Sequence, residues 1–129
     1  GNKVFNQYKP GISREEKLKI RNQGAQADYY LSSANAISQN GEFVFLSAFG
    51  HRIAGIANAK NVIIVSGTNK LTVNLDDAIK RAKEYATPLN YQRLNWDASK
   101  IMCCQDLIIE AEFAPGRLKV ILIDEKLGL

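Results

Sequence analysis

Histidine, tryptophan and methionine occur once each in this sequence, and cysteine occurs only twice, at the adjacent positions Cys103 and Cys104. Neighbouring cysteines bridge only with backbone strain, and two thiols with one distant histidine do not make a zinc ligand set. The pair therefore reads as partly buried thiols in a reducing compartment rather than a reactive pair, and no metal site is expected. No apolar run approaches the roughly 18 residues of a membrane span. The opening stretch GNKVFNQYKPGISREEK also lacks the apolar segment of a signal peptide, so a cytoplasmic location without membrane contact is expected. Neither a P-loop nor a Gly-x-Gly-x-x-Gly fingerprint occurs, which argues against the usual nucleotide sites. The serine elbow of hydrolases is missing too, since Ser66-Gly67 lacks the first glycine of Gly-x-Ser-x-Gly. Basic residues outnumber acidic ones by 17 to 13, for a net charge of +4. They form no block, being interleaved with acids as in SREEKLKIR and DDAIKRAKEY, so a mixed solvated surface is expected and nucleic acid is not.

What remains is ordinary globular material, 46% hydrophobic and 23% charged over 129 residues, enough for one domain spanning residues 1–129. Residues 1–12 are polar and aperiodic, as in a flexible or extended arm. Ser13 and Glu16 have the spacing of a capping box, which predicts a surface helix from Arg14 to Gln23 with Gly24 as its stop. ADYYLSSA reads as a short strand and ANAI as a tight turn or single helical turn. Asn40-Gly41 signals a hairpin through a type I′ turn, which needs positive φ at both central residues. EFVFLSA and NVIIVSG are apolar on both faces and therefore predict interior strands. HRIAGIANA between them has helical spacing. Asn74 caps a further helix, Leu75 to Ala86, with Asp76 and Asp77 in its first turn and a buried stripe of Leu75, Ala78, Ile79, Ala82 and Tyr85; Pro88 is expected to end it. DLIIEAEF and LKVILIDE, joined through Ala114-Pro115-Gly116-Arg117, predict a C-terminal antiparallel hairpin. The fold class is thus α/β, a mostly parallel sheet with flanking helices and a C-terminal β-hairpin.

In open α/β sheets ligands collect beyond the carboxyl ends of the strands. EFVFLSA is followed by Gly50-His51-Arg52 at a helix start, and NVIIVSG by Gly67-Thr68-Asn69-Lys70. Unpaired helix N–H groups beside a guanidinium suit a phosphate or carboxylate, and the second loop adds an amide and an ammonium. Arg52 could equally pair with an acid, Lys70 could be solvated, and His51 could be a structural hydrogen-bonder. Glu42, Asp28, Glu110 and Glu112 read as outward-facing. No nucleophile or general base can be named; His51 alone titrates near neutrality.

The segments Ser33-Ala34-Asn35-Ala36-Ile37, Gly50-His51-Arg52-Ile53-Ala54, Val62-Ile63-Ile64-Val65, Gly67-Thr68-Asn69-Lys70 and Ala86-Thr87-Pro88, in this order and spacing, resemble the lactate-utilization (LUD) domain family. The resemblance runs from about Ala27 to Leu129. It implies a fold like that of glucosamine-phosphate isomerase, ribose-phosphate isomerase and the CoA-transferases. It also implies an accessory role in L-lactate oxidation beside iron–sulfur partner proteins, and a small anionic or phosphorylated ligand lined by Asn35, Gly50, His51, Arg52, Gly67, Asn69 and Lys70. His51 stands where the family usually has asparagine. Of the family's cysteine-rich loop only Ser99 and Cys103-Cys104 have counterparts, so no cofactor is expected beyond iron–sulfur clusters held by partners or by a loop missing from this sequence. A homo-oligomer is expected. The alternatives are a non-catalytic interaction subunit, whose exposed strand edges contact a partner or a second copy, and an enzyme of the isomerase or CoA-transferase type.

Overall fold

The computed structural model describes residues 1–97, 99, 100, 103 and 105–129. The second cysteine, Cys104, and with it the reading of the thiol pair, lies outside the described residues. Helix α1 runs Arg14–Gly24 and opens with the expected capping box, Ser13 Oγ accepting from the Glu16 amide while Glu16 accepts from the Ser13 amide. It buries no residue, as its polar composition requires.

Strand β1 (Tyr29–Ser32) leads through Ser33–Asn35 into β2 (Ala36–Ser38), where a turn was expected. Burial explains the difference: Ala36 and Ile37 are 0% and 4% exposed, and Asn35 completes the ladder by donating its amide to Val44 O. Strand β3 (Phe43–Ser47) returns antiparallel to β2. The hairpin is real, but its turn is not type I′. Gly41 has φ +96° while Asn40 is not at positive φ, and Gly41 N–H donates to Ser38 O, as in a type I turn closed by a glycine bulge. Helix α2 (His51–Asn58), β4 (Asn61–Gly67), a 3₁₀ turn (Thr68–Lys70) and β5 (Leu71–Thr72) follow.

Helix α3 (Leu75–Lys80) is capped by Asn74 as expected, but the helical path does not stop before Pro88. It passes through a π-helical segment, Arg81–Ala86, into α4 (Thr87–Leu94). A proline cannot donate to the carbonyl one turn back and its ring crowds that carbonyl; the wider π turn immediately before it relieves both, and Pro88 sits in the first turn of α4. The extra residue also shifts the helix phase. Ala78, Ala82 and Ala86 are buried, whereas Tyr85 is turned out to 44% exposure.

The last two strands, β6 (Gln105–Ile109) and β7 (Leu118–Ile123), correct a further expectation, because they do not form a hairpin with each other. β6 pairs antiparallel with β3, and β7 pairs parallel with β4. Arg117 directs this split. Its guanidinium donates to Ile56 O and Ala59 O at the end of α2, both at 3.0 Å, and is held by Glu112 at 2.7 Å, so β7 is delivered beside β4 instead of beside β6.

The architecture is mixed α/β, with three of the five strand pairings parallel. The first sheet, β1-β4-β7, is wholly parallel; the second has the order β5-β2-β3-β6. One core lies between them: Val62 and Ile64 from the first sheet meet Ile37, Phe43 and Phe45 from the second, with Ile56 of α2 in the same cluster. On its other face the second sheet presents Ala36, Val44 and Leu46 to Ala78 and Ala82 of the long helical path. β3 is therefore covered on both sides, as its two-sided apolar sequence predicts. Among the described residues no helix is long and apolar enough to cross a membrane.

Candidate functional site

Residues 32–35 carry the chain from the first sheet to the second, and three cations converge on them. Arg52 donates Nε to Ser32 Oγ (3.2 Å), Nη1 to Asn35 Oδ1 (2.8 Å) and Leu46 O (3.3 Å), and Nη2 to Ser33 O. Lys70 Nζ donates to Ser33 Oγ at 3.0 Å, and Arg81 Nη1 to Asn35 O at 2.5 Å. Arg52 also lies over the Phe45 ring, 5.4 Å from its centroid. Each of these hydrogen-bond partners is uncharged. None of the ion pairs among the described residues involves Arg52, Lys70 or Arg81.

Local sequence places each cation. Gly50, at φ +75°, turns the chain from β3 into α2 so that Arg52 falls in its first turn and points back across the crossover. The 3₁₀ turn after β4 aims Lys70 inward, and its side chain is only 6% exposed despite its charge. Burial pushes the Lys70 ammonium below its ordinary range, and the like charges of Arg81 and Arg52 push the same way. Burial also lowers Arg52, with the Tyr30 hydroxyl opposing, but a guanidinium remains protonated regardless.

These groups line a cleft of about 410 Å³, closed on its other side by Thr87, Asn90 and Arg93 of α4, by Cys103, and by Gly128 and Leu129. Arg93 is tethered to Asn90 Oδ1 through Nε and Nη2, which leaves Nη1 as a further donor. The cleft wall carries no aspartate or glutamate. A larger depression of about 1110 Å³ lies between residues 2–8 and β1, but it is bordered by exposed side chains such as Tyr8, Tyr29 and Leu31 and gathers no buried charge. Convergent polar groups, rather than volume, single out the smaller cleft.

Of the seven residues singled out from sequence, Asn35, Arg52 and Lys70 come together on the cleft. Gly67 and Asn69 act one step removed, holding the C-terminal tail. Asn69 accepts from the Leu127 amide (3.1 Å) and donates to Gly128 O (3.4 Å), and a side chain at Gly67 would collide with Glu125 O and Leu127 N. Gly50 and His51 do not line the cleft. His51 packs near the Phe49 ring and feels Arg21 of α1, which together with burial lowers its pKa. Sequence reasoning missed Ser33 as a shared acceptor, missed Arg81 at the start of the π-helical segment, and missed Arg93, which depends on helical phase beyond that segment.

Comparison with protein families gives a LUD domain match over residues 1–123. The chain belongs to the LUD domain family. The match begins at residue 1, so the N-terminal arm and α1 fall inside the LUD domain rather than ahead of it. No match was found among curated proteins or among solved structures. Among the described residues of this LUD domain, no three His, Cys, Asp or Glu side chains are gathered as a metal ion or cluster would require, so the residues described do not fit an iron–sulfur group.

The cleft can hold an anion. It offers a buried ammonium, guanidinium N–H groups, the Thr87 hydroxyl and the amides of Asn35 and Asn90, in surroundings where a charge-assisted hydrogen bond is strong.

Proposed function

We propose that this LUD domain binds a small anionic metabolite, a carboxylate or phosphate ester, in the cleft between Lys70 and Arg93, and serves lactate utilization as an accessory, ligand-holding component. The carrying observation is a lysine 6% exposed whose one hydrogen bond among the described residues goes to the Ser33 hydroxyl, with two arginines nearby and no aspartate or glutamate on the cleft wall. An ammonium taken out of water without a counter-charge is costly, and an anionic ligand is the group that would offset it. Arg52 organises the floor, Lys70 supplies the central charge, and Arg93 with Thr87 and Asn90 reaches from α4. Lactate and pyruvate fit this chemistry through their carboxylates; sugar phosphates and CoA fit it through their phosphates. Electron transfer in lactate oxidation then falls to iron–sulfur partner proteins.

The test is a thermal-shift screen of the purified protein against lactate, pyruvate, inorganic phosphate, sugar phosphates and CoA, run beside Lys70→Met. A ligand at 100 times its Kd adds about 2.7 kcal/mol to stability. Stabilisation of the wild type that is lost in Lys70→Met is the expected result. Equal shifts in both proteins, or no shift with any anion, would remove the cleft as the binding site.

A further inference from the structure

We infer that β7 is an interface strand that pairs antiparallel with β7 of a second copy, joining the two parallel sheets into one continuous sheet. Among the described residues the strand lies at the edge of its sheet, bonded only to β4. Val62 N–H donates to Arg117 O in the register Val62↔Leu118, so the odd-numbered residues of β7 turn their backbone groups toward β4. Leu118, Val120 and Leu122 therefore turn theirs outward, and an edge with this many outward backbone groups is a template for another strand.

The side chains on this edge are those of an interior strand. Val120, Ile121 and Leu122 are consecutive, project to both faces, and are 38%, 51% and 47% exposed. The other strands here with two-sided apolar sequence, β3 and β4, are central in their sheets. Edge strands are ordinarily protected by charge, proline or a bulge, and the stretch from Val120 to Ile123 contains none of these.

The charges flanking that stretch select the occupant and its direction. β7 is basic where it begins, with Lys119, and acidic just past its end, with Asp124 and Glu125. Antiparallel pairing with an identical strand brings the basic end of each copy to the acidic end of the other, whereas parallel pairing would align like charges. A two-fold axis at Ile121 sets Ile121 against its own copy on one face and Val120 against Leu122 on the other, which covers all three exposed apolar residues. Because the odd residues face β4, the Ile121 pair is a non-hydrogen-bonded one, with Cα atoms about 4.5 Å apart, within disulfide range. The symmetry is isologous and closes at two copies.

The experiment is sedimentation of the full chain over a concentration series, together with mild oxidation of Ile121→Cys and of the wild type, which retains Cys103 and Cys104. Dimers that become covalent far faster in Ile121→Cys than in the wild type, and that revert to monomer in Leu122→Lys, are expected. Leu122→Lys replaces an exposed side chain and is checked for intact folding by its thermal transition. A wild type that sediments as a monomer at all concentrations would overturn the inference. So would a dimer that survives Leu122→Lys with no cross-linking at position 121. Neither substitution touches a cleft residue, so the outcome is separable from that of the ligand screen.

Discussion

Two turns of this molecule begin alike and end differently. After β3 the chain reads Gly-His-Arg and after β4 it reads Gly-Thr-Asn-Lys, and each turn sends one cation to the same serine. Arg52 arrives with four bonds to protein acceptors and a ring beneath it. Lys70 arrives with one bond, to a hydroxyl. A planar fork whose donors are nearly all used by the protein is part of the scaffold. A point charge with three donors and one protein acceptor has capacity left for a ligand. Similar sequence signals thus mark a cation engaged by the protein in one turn and a cation with donors to spare in the other.

The sharpest way to break the comparison is Arg52→Met. Removing the guanidinium strands Leu46 O in a poorly hydrated place, at about 1–3 kcal/mol for an unsatisfied group, and weakens Asn35 Oδ1 and Ser33 O, which keep the Leu46 amide and the Ser32 hydroxyl as donors. With the lost charge-assisted bonds added we expect a loss of about 2–3 kcal/mol in urea unfolding, a large share of the stability of a domain this size. A loss under about 1 kcal/mol would return Arg52 to the list of ligand groups.

Lys70→Met is expected to do the reverse. The methionine keeps most of the stem and removes a charge that the fold hosts at a cost, so stability should stay within about 1 kcal/mol of wild type or rise, while anion binding is lost. The pH dependence carries the same sign. Because the folded state lowers the Lys70 pKa from its ordinary 10.5, the unfolded chain binds more protons in the window between the two values. Stability contributed at this site therefore increases with pH through that window. The slope should be flatter in Lys70→Met, and an unchanged slope would mean that the ammonium is not desolvated.

Much of this was legible in the sequence, for identifiable reasons. The capping box at Ser13, the cap at Asn74 and the two-sided strands β3 and β4 are local patterns with one physical solution, and all four formed. Convergence of Arg52 and Lys70 followed from the rule that strand ends gather ligands. The misses have a common character. Pro88 was read as a stop because the π turn that accommodates it is set by packing of Ala82 and Ala86 rather than by any residue preference. β6 and β7 were read as a hairpin because either strand could satisfy either edge, and the choice rests on Arg117 reaching carbonyls of α2, about 60 residues earlier in the chain. Arg93 is invisible as a site residue because its direction depends on that same π turn, and Arg81 because no local pattern marks the carbonyl of Asn35 as its acceptor.

Arg117 extends the comparison to a cation that does have an acid. Its bond to Glu112 holds that carboxyl below the usual carboxylate range, with backbone amides of the turn acting in the same sense. The stabilisation is present above the ordinary carboxylate pKa and is lost as pH falls through the depressed value. Both side chains keep some solvent contact, so Glu112→Gln should cost no more than about 1 kcal/mol and should flatten the acid limb of the stability profile. A larger loss would show that Glu112, and not the α2 carbonyls, fixes the crossover to β7.

The smallest effect belongs to the residue that sequence alone made most conspicuous. His51 stands at the first position of α2, where the helix dipole disfavours a positive ring, and burial and Arg21 lower its pKa further. The folded state therefore resists protonating it. As pH falls below the ordinary histidine value of 6.5, the unfolded chain takes up a proton first and stability declines. His51→Gln should remove that decline, change stability at neutral pH by less than about 0.5 kcal/mol, and leave anion binding in the cleft untouched. Isothermal titration of His51→Gln with whichever anion stabilises the wild type decides the point. A tenfold loss of affinity would bring the imidazole into the site and make the helix start, rather than the cation behind it, the feature the ligand reads.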